Sequence, residues 1–196
     1  NNVYSKGASV LQMLRVLLGE QVFWQGIQDY VAGNQMALVE TADLRQAMEG
    51  AANTNLRWFF DQWVHLPGAP KVSVSTHYDP SAKDLVVKLE QTPFEDGPQR
   101  SLFIDLEIGG ETGPRTERLW LSEGRSTLRL ALDQAPTYVA VDPQGGLLAE
   151  LSYEQDLQAW VSQLSSAHPY ARLAAIRGLE EFGDEGASQI LEGLAK

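Results

Sequence analysis

Apolar residues in the first 66 positions recur at helical spacing. Between positions 10 and 18 only Gln12 and Arg15 are polar, a pattern typical of a helix packed inside a larger body. The run is too short for a membrane span, which needs about 20 apolar residues. Three further stretches carry an apolar face: Phe23, Trp24, Ile27, Tyr30 and Val31; Leu44, Ala47, Met48 and Ala51; and Leu56, Phe59, Phe60, Trp63 and Val64. The pattern predicts four helices in one packed layer.

Residues at the edges of these stretches predict where the helices begin and end. Gly19 is placed to end the first helix, because glycine accepts the left-handed conformation that a helix end often needs. Thr41 is placed as the N-cap of the third helix, with Asp43 in its first turn, and Asn55 can cap the fourth. The Pro-Gly-Ala-Pro stretch at 67–70 predicts the end of the helical part.

Beyond position 70 the apolar pattern changes to two-residue alternation. It predicts seven short strands, at Val72 and Val74, 85–89, 102–108, 118–121, 126–132, 138–141 and 147–151. The turn-rich segment 79–84 predicts a hairpin between the first two. With no helical pattern between them, these strands predict a small antiparallel β-sandwich without chemistry of its own.

Helical spacing returns from Tyr153. The predicted helices use Leu157, Trp160, Val161 and Leu164, then Leu173, Ile176, Leu179 and Phe182, then Ile190, Leu191 and Leu194. Pro169 suits the first turn of the second of these. The stretch 169–183 resembles the start of HEAT-type repeats, which generally need three or more copies. We therefore expect three parts, 1–66, 67–151 and 152–196, cut at both ends from a longer protein, since the chain also opens on Asn1 instead of methionine.

Charge and composition narrow the possible functions. The net charge of −11 disfavours a nucleic-acid partner, whose phosphates would repel the chain, and disfavours anchoring on anionic lipid. The absence of cysteine excludes disulfides, thiolate metal sites and a catalytic thiol. No stretch has the pattern of a signal peptide or membrane segment. A cytoplasmic and a periplasmic location are both compatible with this composition.

Several spaced motifs resemble one enzyme family. They are Val-Tyr-x-Lys-Gly-Ala at 3–8, Leu-Gly-Glu-x-x-Phe-Trp-x-Gly-Ile-x-x-Tyr at 18–30, Thr-x-Asp-Leu-Arg-x-Ala-Met-Glu at 41–49, Leu-Arg-Trp-Phe-Phe-Asp-Gln-Trp-Val at 56–64 and Pro-Gly-x-Pro at 67–70. This order resembles that of the zinc aminopeptidases of the aminopeptidase N type. The resemblance implies an α+β architecture: the helical end of a thermolysin-like catalytic domain, then the sandwich, then the start of the helical repeats. It also implies peptide substrates and a zinc cofactor for the full-length parent.

Tyr4 is the candidate catalytic residue. In the family this tyrosine reaches towards the substrate carbonyl, so the resemblance implies that Tyr4 donates a hydrogen bond to the developing oxyanion. The alternative is a buried aromatic at a helix start, with its hydroxyl bonded to a backbone carbonyl. Lys6 could support the site electrostatically or be merely solvated or paired. Gly7 is expected to permit close approach of a neighbouring backbone. Neither is assigned a catalytic role.

No zinc site is predicted within the chain. The histidines, His65, His77 and His168, stand outside the H-E-x-x-H spacing that places two imidazoles and a general-base carboxylate around zinc. By the resemblance, the zinc ligands and the water-activating glutamate would precede Asn1. We therefore expect the chain alone to bind no metal and to be inactive.

Two other interpretations stay open. The parent could be a non-catalytic scaffold or interaction protein that keeps this architecture without the zinc site. A free-standing sandwich module that binds a partner is disfavoured by the buried character of the first helix. Because that helix would lack part of the domain it packs against, we expect exposed apolar surface along 10–18, which favours self-association.

Overall fold

The computed structural model describes residues 3–184 and residue 188. The chain forms two compact units, Asn1–Gly68 and Ala69–Lys196. The predicted helix that uses Ile190, Leu191 and Leu194 lies outside the described residues.

The first unit is helical, as predicted. Its elements are α1 (Val3–Leu18), α2 (Glu20–Gly33), α3 (Thr41–Ala52) and α4 (Arg57–Phe60), which continues into a π-helix at Asp61–His65. Gly19 separates α1 from α2 with a φ of 80° and donates its N–H to the Arg15 carbonyl. Glycine adopts this conformation without a side-chain clash, which confirms the predicted stop.

The start of α3 differs from the prediction. Thr41 is the first helical residue, and Glu40 is the N-cap. The Glu40 side chain accepts from the backbone of Asp43, while the Asp43 carboxylate accepts from the Glu40 N–H at 2.7 Å. This reciprocal capping box satisfies two of the N–H groups that a helix start leaves without partners. A glutamate with an aspartate three residues later therefore replaces the threonine cap.

The core of the first unit is apolar. Its buried side chains come from all four helices and the π-helix: Val10, Met13, Leu14, Phe23, Met48, Leu56, Phe59, Phe60 and Trp63. The third and second helices approach closely at Gly26, where an added Cβ would lie 2.5 Å from Met48 Sδ. Along α1 the predicted all-round burial is incomplete, because Leu11 is 37% exposed.

The second unit contains seven strands among the described residues. They are β1 (Lys71–Asp79), β2 (Asp84–Thr92), β3 (Leu102–Gly109), β4 (Arg115–Leu121), β5 (Arg125–Ala131), β6 (Tyr138–Val141) and β7 (Glu150–Tyr153). One sheet has the order β5-β2-β1-β7 and the other β4-β3-β6. The predicted hairpin between the first two strands is confirmed, with Asp79 paired to Asp84.

The last strand corrects two details of the prediction. β7 begins at Glu150, not at Leu147, and it pairs with β1 in parallel, so the strands are not all antiparallel. The later start of β7 follows from Asp142, whose carboxylate accepts from the N–H groups of Gly146 and Leu147. These bonds hold the chain in a turn where the apolar pattern alone predicts a strand.

Two helices complete the described part of this unit: α5 (Leu157–Gln163) and α6 (Pro169–Glu180). Pro169 stands in the first turn of α6, as predicted. The helices contact each other through Trp160, which packs with Ala175 and Leu179. Ala171 packs with Tyr138 and Ala140, so the helices pack against β6, an edge strand of the three-stranded sheet. Within the described residues no helix has the length and hydropathy that crossing a membrane requires.

Candidate functional site

Tyr4 lies in the first turn of α1, and its side chain is 88% exposed. Within the described residues Tyr4 is therefore not packed as a core aromatic, and its catalytic role stays a prediction. Packing within the first unit does not account for a tyrosine at this position. The phenol projects from the helix start, where its hydroxyl can donate a hydrogen bond to a group brought against it.

Lys6 is anchored within the same unit. Its Nζ donates to the Leu66 carbonyl oxygen at 2.6 Å, and the bond is partly buried. Leu66 is the C-cap of the π-helix and has extended backbone, with φ −82° and ψ 143°. The Lys6 side chain is therefore paired with a backbone carbonyl. This bond joins the first turn of α1 to the end of the π-helix.

Gly7 does not have the role that the sequence suggested. A Cβ added there would meet no atom of the described residues within 4 Å, so no neighbouring backbone in this part of the chain requires glycine. Gly7 instead opens on a cavity of about 510 Å³. The cavity is lined mainly by apolar side chains: Val10, Leu11, Leu14, Tyr30, Leu44, Phe60, Trp63 and Val64, with Lys6, Glu40 and Thr41 at polar positions.

The three histidines lie in three different elements of the chain. His65 ends the π-helix, His77 lies in β1, and His168 is the N-cap residue of α6. His168 Nε2 lies 3.4 Å from Glu107 Oε2. Among residues 3–184 and 188 no group of three or more His, Asp or Glu side chains could hold a metal ion. The donor set of a zinc site is thus not supplied by the described residues.

Sequence reasoning missed a buried ionic cluster on β3. Asp105 is almost completely buried and accepts two hydrogen bonds from Arg118, at 2.6 Å to Nε and 2.8 Å to Nη2. The same guanidinium lies over the Phe103 ring, 4.5 Å from its centroid. Its hydrogen bonds to Asp105 raise the pKa of Arg118. The available signal was a pair of acidic residues, Asp105 and Glu107, in an otherwise apolar strand.

A second contact extends this cluster. Glu107 is buried beside Asp105 on the same face of β3, and its Oε1 accepts from the Tyr138 hydroxyl at 2.8 Å. Burial, and then the hydrogen bond to Glu107, raise the pKa of Tyr138 far above its ordinary value. Burial also raises the pKa of Asp142, against the effect of its two backbone hydrogen bonds. These groups hold strands, a turn and a helix together, and a role in fixing the fold accounts for them.

Comparison with known proteins places the first unit in a family. Residues 1–63 match the model described as "Peptidase family M1 domain". The chain is 37% identical over 109 residues to aminopeptidase N of Haemophilus influenzae, covering 54% of this chain and 12% of that protein. It is 36% identical over 203 residues to mitochondrial aminopeptidase 2 of Saccharomyces cerevisiae, covering 98% of this chain and 20% of that protein. The chain therefore spans only about a tenth to a fifth of the length of these relatives.

A solved structure shares the fold. The crystal structure of Legionella pneumophila aminopeptidase A in complex with aspartic acid matches with a TM-score of 0.77 and 16% identity, covering 97% of this chain and 23% of that one. The match includes residues of both units, and at this identity it shows a similar fold only. The family match, together with the identities to the two curated relatives, identifies residues 1–63 as part of a peptidase family M1 domain of the aminopeptidase N type.

Proposed function

We propose that the full-length protein containing this chain is a zinc-dependent aminopeptidase that removes single residues from the N-termini of peptides. The observation that carries the proposal is the position of Tyr4, exposed in the first turn of α1 within a matched family M1 segment. The aminopeptidase relatives support the same reaction class.

Tyr4 would act on the charge that develops during hydrolysis. When water adds to the peptide carbonyl, the carbonyl oxygen gains negative charge, and a donor aimed at that oxygen stabilises the transition state more than the ground state. A phenol hydroxyl suits this role because it donates a hydrogen bond without having to lose its proton. Tyr4 is free of the packing that would hold its ring in the core of the first unit.

Zinc would be held by residues outside this chain, since the described residues do not supply its ligands. When bound, the metal would supply Lewis-acid activation of water. This chain would then contribute the hydrogen-bond donor, Tyr4, and the helical layer that carries it. By itself the chain would bind no zinc and cleave no peptide.

The three-part organisation belongs to the same proposal. Residues 1–66 would complete the thermolysin-like catalytic domain, 67–151 would form a seven-stranded β-sandwich, and 152–196 would begin a HEAT-like helical repeat domain. Alternating burial along β1 and β2 and complete burial along β3 support a sandwich. The α5–α6 pair supports a first repeat, although it lies in the same compact unit as the strands.

The test is the hydrolysis of amino-acid anilides by the full-length protein, with and without a zinc chelator, and by its Tyr4→Phe variant. We expect hydrolysis to need the metal, and Tyr4→Phe to lower kcat by roughly 10²–10³-fold with little change in KM, because the lost bond forms only in the transition state. Tyr170→Phe is the matched control, since Tyr170 is a half-exposed tyrosine of α6 in the other unit.

Two outcomes would contradict the proposal in different ways. A fully active Tyr4→Phe variant would remove the catalytic role of Tyr4 but leave the enzyme. A wild-type protein that is inert across the whole anilide panel would instead favour the non-catalytic scaffold.

A further inference from the structure

We propose that Lys6 is a positioning residue for Tyr4, which it holds in place through its hydrogen bond to the Leu66 carbonyl. The inference rests on the function proposed above, because it assumes that Tyr4 contacts the substrate. It assigns Lys6 no contact with the substrate and no part in proton transfer.

Among the described side chains, few in the first turn of α1 are packed against the rest of the unit. Of residues 4–8, only Lys6 is partly buried, while Tyr4, Ser5, Gly7 and Ala8 are exposed. Apolar packing of α1 into the unit begins at Val10 and continues at Met13 and Leu14. Among the described side chains, the turn that carries Tyr4 therefore precedes the packed part of the helix, and the bond from Lys6 joins it to the rest of the unit.

The bond from Lys6 spans a long stretch of the chain. Its donor lies two residues after Tyr4, and its acceptor follows the π-helix, 60 positions later. At 2.6 Å from Nζ to oxygen, with an ammonium as the donor, this is a charge-assisted hydrogen bond of the stronger kind. Leu56, Phe60 and Trp63 anchor the α4–π-helix segment in the core, so Leu66 follows a firmly packed support.

Helix electrostatics favour this arrangement. The carbonyls at the C-terminal end of a helix carry partial negative charge and accept readily from lysine. Lys6 donates to a carbonyl at the C-terminal end of the π-helix. The contact thus stabilises the charge of Lys6 and fixes the turn that carries Tyr4.

The position of a transition-state donor matters greatly, since a displacement of about 1 Å can lower a rate roughly a hundredfold. If Lys6 acts only by holding the turn, its removal lowers kcat through Tyr4 and leaves the ground-state binding of the substrate largely intact. If Lys6 instead has a structural role that is independent of Tyr4, its removal lowers activity equally with Tyr and with Phe at position 4.

A double-mutant cycle in the full-length protein separates these cases. The variants are Lys6→Met, which keeps the length of the side chain but removes the donor, Tyr4→Phe, and the double variant. We expect Lys6→Met to lower kcat roughly ten- to a hundredfold with KM little changed, and to cause no further loss when Tyr4 is already Phe. Lys71→Met is the matched control, because Lys71 forms only an exposed ion pair, with Glu150 in the second unit.

Lys6→Arg tests the same contact by rescue, since a guanidinium can still donate to the Leu66 carbonyl. We expect it to keep kcat within about threefold of the wild type, given that the donor is retained. It also keeps the test decisive if Lys6→Met fails to fold. A Lys6→Arg enzyme that folds normally but loses as much kcat as Tyr4→Phe would overturn the proposal.

The remaining outcomes distinguish this inference from the proposed function. Full activity of Lys6→Met, or losses that multiply in the double variant, would overturn the positioning role while Tyr4 keeps its own. If Tyr4→Phe is fully active, the role of Tyr4 fails first, and that of Lys6 falls with it.

Discussion

The two units of this chain bury different kinds of side chain. Among the described residues, all buried polar or charged side chains lie in Ala69–Lys196: Gln91, Arg100, Asp105, Glu107, Gln163 and Ser166. The buried core of Asn1–Gly68 is apolar, and its most exposed large apolar side chains, Met36 and Leu38, stand in the loop between α2 and α3. One unit thus depends on apolar packing and the other adds specific polar pairs.

This difference has energetic consequences. Apolar burial is non-directional and roughly proportional to area, so a helical layer tolerates small shifts of its partners. A buried carboxylate is tolerated only with partners that meet its oxygens, because removing a charge from water is costly. The second unit should therefore be more sensitive to the loss of one polar atom pair, and the first to changes in side-chain volume.

The largest effect is expected at the Asp105–Arg118 pair. Arg118→Met removes both donors from a carboxylate that stays buried, which should lower the free energy of unfolding by about 3–5 kcal/mol. Urea unfolding measures this change. Arg125→Met is the control, because the Arg125–Glu90 pair is exposed and such pairs contribute about 0–1 kcal/mol. Equal losses in the two variants would mean that the burial of Asp105 carries no special cost.

A smaller effect is expected from volume in the first unit. Gly26→Ala would place a Cβ 2.5 Å from Met48 Sδ and 3.3 Å from Met48 Cα, so the buried Met48 side chain must move and the backbone of α3 must shift slightly. We expect a loss of about 1–3 kcal/mol by thermal or urea unfolding. Gly50→Ala, where the added Cβ meets nothing within 4 Å, should instead stabilise α3 by about 0.5–1 kcal/mol. If both variants are stabilised, the α2–α3 contact is looser than the structure shows.

The smallest effect concerns self-association of this chain, which stays a prediction. The exposed loop suggests a different surface from the α1 face expected from the sequence, because Met36 and Leu38 are far more exposed than Leu11. Sedimentation of Leu38→Gln and Leu11→Gln, compared with the wild type, separates the two surfaces. We expect only Leu38→Gln to lower the association constant, by about tenfold. A wild-type chain that is monomeric at every concentration would exclude both surfaces.

Local signals in the sequence accounted for most of the secondary structure. Helical spacing found α1 to α4, and alternation found the strands, because each element buries a face that its own residues define. The parallel placement of β7 beside β1 could not be predicted, since it pairs residues about 79 positions apart, and the Asp142 carboxylate holds 146–147 in a turn where the apolar pattern predicts a strand. The Glu40 cap was missed because glutamate is an uncommon N-cap residue.

The residues of the candidate site likewise differ in how much of their role the sequence could predict. Tyr4 is a candidate through its motif, while its exposure could be known only from the fold. The bond from Lys6 to Leu66 joins positions 60 apart, and no local pattern links a lysine to a particular backbone carbonyl. Likewise, Asp105 and Glu107 were visible as charges in an apolar strand, but their partners Arg118 and Tyr138 lie on other strands.

The parallel pairing of β1 and β7 also determines how this part of the chain would respond to tension. Lys71 to Val74 lie beside Glu150 to Tyr153, so the chain leaves β7 in the direction in which it began β1. Pulling on the residues before β1 and after β7 draws the two strands past each other, and their evenly spaced hydrogen bonds share the force instead of opening one at a time. The pair is therefore arranged to resist extension in shear, as a tether between the segments on either side of it.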